Sequence, residues 1–504
     1  MITSGIPPTP RRGAFRRGVS VVLAGALGLA LSSCAQVLDP PLNAQIDTAP
    51  RFSPDSIPEG HGDGSLLLGL AFSGGGTRAA AYAYGILRQL QDTPVPGRPG
   101  TSMADKVRMV SGASGGAVTA AYFALKGPHR FDDLRERFLE RDAESSLSTS
   151  IVSPATIAGA LGGGINGRGT FARWLDENLF DGARYAAFDK PDKPIVWINA
   201  SDIWNSTPFL FTHDTFAALC SDLNSLPISE AVAASAAVPM LFKPIPLKAY
   251  GPVCGYKRPA WLQKALDDPN VSMRVLADAR ALENYQNPSR LKYVKLLDGG
   301  LTDNFGLSGF TMNRMASDTP YGPLSVRQAV RLRTMLYLVA DAGRREDIAW
   351  GETLRGPGAA QMVEATANTM VDASVRHEYD AMQLALASWR RELVAWRCSL
   401  SPAEVLRHRG SLKGWDCRDL EIIFDAVSFD DLTPPTQNSF RKVETRLVLP
   451  QDQVETSVAA GREALLRNHG FRTALKHVRT GTSRPAEGVG AASADVGAEL
   501  ARAR

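Results

Sequence analysis

Ser114 lies in Val110-Ser111-Gly112-Ala113-Ser114-Gly115-Gly116, an apolar run that ends in G-x-S-x-G and passes directly into Ala117-Val118-Thr119-Ala120-Ala121-Tyr122-Phe123. A strand, a tight turn and a helix in this order force a serine hydroxyl out at the tip of a sheet above helix-start amides, the geometry of an acyl-transfer nucleophile. With 45 glycines among 504 residues the pattern arises easily by chance, so its neighbours must carry the argument. Upstream, Leu66 to Phe72 reads as a buried strand, followed by Ser73-Gly74-Gly75-Gly76-Thr77-Arg78 and a helical run from Ala79 to Leu90. Consecutive glycines bring backbone amides and the positive end of a helix close to a bound group, which makes Gly74, Gly75, Gly76 and Arg78 a candidate oxyanion loop. The spacing fits neither G-x-x-x-x-G-K-[ST] nor G-x-G-x-x-G, so it argues against a nucleotide phosphate site.

A third motif supplies an acid. Tyr293 to Leu297 reads as a strand that delivers Asp298-Gly299-Gly300 at its carboxyl end, where open parallel sheets collect their chemistry. Asp298 is the candidate base, against the alternative of an Asx-turn aspartate capping the Gly-Gly turn. Asp341, at the end of the apolar Thr334 to Ala340 run, is a competing acid. None of the seven histidines stands in a recognisable catalytic context; His213, after Phe209-Leu210-Phe211-Thr212, is the best placed of them.

The three motifs in this order resemble the patatin-like phospholipase family. Val196-Trp197-Ile198-Asn199-Ala200-Ser201-Asp202 and the helix leading to Ala237-Val238-Pro239-Met240-Leu241-Phe242-Lys243-Pro244 extend the likeness, which covers roughly Leu66 to Gly300. The resemblance implies a three-layer α/β/α sandwich with a mostly parallel central sheet and a Ser-Asp dyad hydrolase of lipid acyl esters that needs no metal or other cofactor. Ser114 matches the nucleophile, Asp298 the acid, and Gly74, Gly75, Gly76 and Arg78 the oxyanion loop; Ala79 replaces a glycine common in the family. Without an imidazole, Asp298 must take the serine proton itself, which requires short contact and a carboxylate made more basic by desolvation.

These elements belong to a longer organisation. From Ser65 onward strand and helix signals alternate, as in a sheet covered on both faces. Residues 65–345 are expected to form the catalytic domain and 346–479 a mainly helical extension packed on it, with Met362, Ala365, Met370, Val371 and Leu384 in the apolar positions of a long helix from Gly358 to Arg397. Ser145 to Gly169 reads either as a lid over the serine or as a loose surface loop, and Ser221 to Pro227 and Lys243 to Asp268 as loop insertions. Residues 480–504 are expected to be disordered.

The amino-terminal arginines Arg11, Arg12, Arg16 and Arg17, the apolar Val19 to Leu31 and Leu31-Ser32-Ser33-Cys34 describe a secretory signal over residues 1–34. Cys34 after L-S-S resembles a bacterial lipobox, in which the cysteine is lipidated, and Ala35 resembles the signal for outer-membrane sorting in Gram-negative bacteria. Residues 35–64, rich in proline, read as a tether from lipid to domain. Cys220, Cys254, Cys398 and Cys417 then remain, an even number for an oxidising compartment. Three pairings exist; the local pairs Cys220 with Cys254 and Cys398 with Cys417 are favoured, each closing a loop worth about 3 kcal/mol in the loop-entropy account. No C-x-x-C pair argues for zinc. A net charge of +4 is mild, and no basic run argues for nucleic acid. The expected partners are a lipid substrate and a membrane reached through the anchor. A carboxylesterase for small soluble esters and a non-catalytic lipoprotein module are the competing readings.

Overall fold

Strand β2 (Leu66–Phe72) is apolar and buried along its whole length, which requires cover on both faces. Its alternating side chains supply two separate cores: Leu66, Leu68, Leu70 and Phe72 enter one, while Leu67 and Ala71 enter the other. This period of two turns the strand into the middle layer of an α/β/α sandwich. The computed structural model describes residues 40–50, 57–60, 62–147, 166–167, 169–239, 241–343, 354 and 356–480, and residues Pro41–Arg504 form one compact unit.

The other strands are β1 (Ala44–Gln45), β3 (Val107–Ala113), β4 (Ile195–Asp202), β5 (Thr207–Leu210), β6 (Ser221–Asp222), β7 (Ile245–Lys248), β8 (Tyr293–Leu297), β9 (Thr334–Ala340) and β10 (Glu421–Val427). The helices that matter here are α1 (Gly76–Asp92), α2 (Gly115–Lys126), α3 (Ile228–Ser235), α4 (Ala260–Asp267), α5 (Met273–Tyr285), α6 (Ser308–Met315), α7 (Ala359–Ser399) and α8 (Gln451–Arg467). Among the described residues the main sheet runs β10, β9, β2, β3, β4, β8, β7, with β5 also paired to β4. β10 to β4 are parallel, whereas β8 lies antiparallel to β4 and to β7.

Helices α1, α2 and α8 bury Ile86, Leu87, Val118, Val454 and Leu465 in the first core. The second core is closed by α6 and α7 through Phe310, Met382, Leu386, Trp389 and Leu393. The apolar stripe of α7 therefore runs through 382, 386, 389 and 393, the spacing of one helix face. Met362, Met370 and Leu384, expected inside, are instead 52%, 69% and 73% exposed.

The segment after residue 345 contributes a strand as well as helices, because β10 extends the sheet beyond β9 in register from Glu421 opposite Thr334 to Val427 opposite Ala340. Lys243 to Asp268, read as loop, contains β7 and α4. Part of the proline-rich segment is fastened to the domain: Asn43 is buried, its side chain donates to Ser221 Oγ (3.0 Å) and Lys248 O (2.8 Å), and β1 pairs with β6. Residues 1–34, with Cys34, most of the Ser145 to Gly169 insertion and residues 481–504 lie outside the described residues.

Candidate active site

Strand register brings the serine and the acid together. Ala113 of β3 pairs with Asn199 of β4, and Leu297 of β8 pairs with Ser201 farther along the same edge of β4, the opposite edge being taken by β5. Because β8 runs antiparallel, its next residue, Asp298, and the residue after β3, Ser114, both come alongside Ala200. The Ser114 hydroxyl lies close enough to the Asp298 carboxylate to favour its charged form.

Ser114 holds φ 51° and ψ −125°, a region costly for a residue with a Cβ, on the order of 1–3 kcal/mol. The chain needs this conformation to turn from β3 into α2 at once. The Ser114 amide donates to Ser235 Oγ (2.9 Å), and the Ser235 hydroxyl donates to Asn199 O (2.6 Å), so the last residue of α3 fastens the elbow to β4. Gly115 permits the close approach of the next loop, since a Cβ there would lie 1.9 Å from Gly76 O. Gly299 plays the same part beneath Asp298, where a Cβ would lie 2.1 Å from Asn199 O.

Asp298 is held at three further points. Its amide donates to Ala237 O (2.9 Å), its carbonyl accepts from Ser201 Oγ (2.7 Å), and its carboxylate accepts from the Gly300 amide (2.8 Å). Burial pushes the carboxyl group up to about 6, against the Gly300 amide and the Ser114 hydroxyl, which favour the charged form. A carboxylate of this basicity can take a proton near neutral pH.

The glycine-rich loop divides its tasks. The Gly74 amide is bound by Asn304, at 3.2 Å from both its carbonyl and its Oδ1. Gly75 and Gly76 begin α1, where N–H groups have no partner within the helix and the N-cap supplies no side-chain bond. Their amides can meet developing negative charge. Arg78 serves the loop from a different side than its place in the motif indicates. Its buried guanidinium binds Ala342 O (3.2 Å), Val443 O (3.4 Å) and Thr445 Oγ1 (2.6 Å). Thr77 adds bonds to Arg446 O (2.8 Å) and Leu447 O (2.8 Å). The carboxyl-terminal segment thus clamps the loop, a contact that no local pattern announces.

The two other sequence candidates lie elsewhere. His213 Nε2 is 3.2 Å from Asp189 Oδ1 at an exposed position. Asp341 follows β9, which β2 separates from β3, and its carboxylate accepts from Gly343 N (2.8 Å). The four cysteines among the described residues form two disulfides, Cys220 with Cys254 and Cys398 with Cys417.

Residues 70–311 match the patatin-like phospholipase family. No curated protein matches the chain. Among solved structures, human GIVD cytosolic phospholipase A2 is 14% identical over 82% of this chain and 61% of that chain, with a TM-score of 0.38. Its complex with methyl gamma-linolenyl fluorophosphonate gives 14% identity over 82% and 60%, with a TM-score of 0.34. VipD from Legionella pneumophila gives 12% over 89% and 72%, with a TM-score of 0.29. The chain spans about three fifths of the length of the human enzyme.

Proposed function

Since residues 70–311 form a patatin-like phospholipase domain, we propose that this protein hydrolyses acyl esters of lipids with a Ser114 and Asp298 dyad. The meeting of the two side chains alongside Ala200, where the Ser114 hydroxyl favours the charged form of Asp298, carries the reading. Asp298 takes the Ser114 proton as Oγ attacks the ester carbonyl, and the oxyanion forms against the amides of Gly75 and Gly76. Collapse expels the alcohol, which leaves with the proton held by Asp298. Water then attacks the acyl-serine, giving its proton to Asp298, and the carboxylic acid departs as the proton returns to Ser114.

The site is proposed to act at a membrane, with Cys34 lipidated and the protein held in the bacterial envelope, at the outer membrane facing the periplasm. Residues 1–34 would be the signal, 35–64 the connection to the anchor and 65–345 the catalytic domain, followed by the 346–479 extension and the tail 480–504. Among the described residues no helix is long and apolar enough to cross a membrane. Membranes incubated with wild type and with Ser114→Ala, followed by lipid analysis, test the activity. Free fatty acid and lysolipid released by wild type alone support it, and equal release by both removes Ser114 from the mechanism. A rate that climbs only above the micellar threshold supports lipid over small soluble esters.

A further inference from the structure

A narrow cavity lies between β4, β5, α4, α5 and α6. Trp197, Phe209, Trp261 and Tyr285 form much of its wall. Two carboxylates, Asp214 and Asp278, also line it, and none of its lining residues is Lys, Arg or His. Asp278 and Trp261 are 9% and 6% exposed, and in each a polar atom is left over: Asp278 Oδ2 accepts no hydrogen bond and Trp261 Nε1 donates none. Buried polar atoms without partners are uncommon, and two in one cavity mark a place where something polar belongs.

Charge identifies the occupant. Burial raises the Asp278 carboxyl to about 7, with Arg274 drawing it down and Asp303 pushing it further up. Arg274 is outside the lining and donates to Ser308 Oγ. Asp303 spends its oxygens on the amides of Leu307 (2.8 Å) and Ser308 (2.7 Å). A cation inside the cavity would neutralise Asp278, and the faces of tryptophan, tyrosine and phenylalanine attract an organic ammonium ion while tolerating its apolar body. The Trp261 N–H calls for an acceptor oxygen on the same molecule. The geometry points to a binding site for a small organic ammonium ion bearing a hydroxyl group, seated between the Asp278 carboxylate and the Trp197 and Trp261 rings. This site is independent of the hydrolase reading, because neither Ser114 nor Asp298 lines it.

Choline and its uncharged isostere 3,3-dimethyl-1-butanol distinguish a cation site from a merely apolar one. Titration of the full-length protein, followed by calorimetry and by the fluorescence of its tryptophans, should give saturable choline binding. The isostere should bind roughly tenfold or more weakly. Asp278→Asn should weaken choline by about the same factor, and choline should raise the melting temperature of wild type more than that of this variant at equal concentration. Trp261→Phe, which keeps the ring and loses the donor, provides a second variant and should weaken choline a few-fold. Equal affinity for choline and the isostere, unchanged choline affinity in Asp278→Asn, or no saturable binding of choline beyond a sodium chloride control would each overturn the assignment, the last leaving water as the occupant.

Discussion

Asn304 grips Gly74 across 230 residues of sequence, with its carbonyl and its side-chain oxygen both 3.2 Å from one amide. The glycine-rich loop is therefore positioned by the turn that follows Asp298, and movement of either is felt by the other. Asn304→Ala should leave the fold intact and lower kcat about tenfold with little change in KM, the loss of one positioning hydrogen bond. Steady-state kinetics on a fluorogenic ester would check this; a rise in KM alone would place Asn304 in substrate binding instead.

Ser235 bridges the elbow to β4 through the Ser114 amide and the Asn199 carbonyl. Ser235→Ala leaves a buried amide without an acceptor, so stability should fall by about 1–3 kcal/mol. Activity should fall with it, because the strained Ser114 backbone loses its brace. Chemical denaturation together with ester hydrolysis measures both, and Ser235→Thr should restore much of each.

The pH profile should report Asp298. Its folded carboxyl group stands at about 6 against an ordinary 3.8, mainly through burial. Activity should accordingly rise with pH through about 6 as the base loses its proton. Stability moves the opposite way: the contribution of this group is complete below about 4 and lost as pH climbs past about 6, on the order of 3 kcal/mol. Asp298→Asn should abolish hydrolysis and flatten this part of the stability curve between pH 4 and about 7. Hydrolysis that survives in Asp298→Asn would end the dyad mechanism.

Arg78 reaches two carbonyls and a threonine hydroxyl with one planar group. Lysine keeps the charge but cannot match that fork. Arg78→Lys should therefore lower stability by about 1–3 kcal/mol and slow turnover. Thermal unfolding and kcat are the readouts; unaltered values in both would show the clamp to be dispensable.

Cys220 and Cys254 are bonded 34 residues apart. Replacing both with serine should cost about 3–4 kcal/mol if the constraint on the unfolded chain dominates. Denaturant titration of the double variant against oxidised wild type gives the figure. Reduction of wild type should reproduce most of the loss.

Much of the framework was legible because it is local. An apolar run such as Leu66 to Phe72 declares a doubly covered strand, and a glycine-flanked serine between strand and helix declares an elbow. The reversed direction of β8 was hidden, since Tyr293 to Leu297 would read the same in either orientation. That reversal is what sets Asp298 beside Ala200. Asn304, only six residues after Asp298, could have been marked as a polar residue in the acid's own turn, but its partner is 230 positions away. In α7 the long periodic pattern was clear, yet the phase that meets the sheet depends on where the helix lies, so Met370 and Leu384 were placed inside although they face out. Arg78 was read by its motif, whereas burial beside Val443 and Thr445 determined its contacts.

The backbone carbonyls of Arg446 and Leu447 complete the seat of Thr77 at the threshold of the glycine-rich turn. The start of α1 is therefore seated only when a segment some 370 residues further along has folded back onto it, which ties the first motif of the chain to one of its last folded stretches.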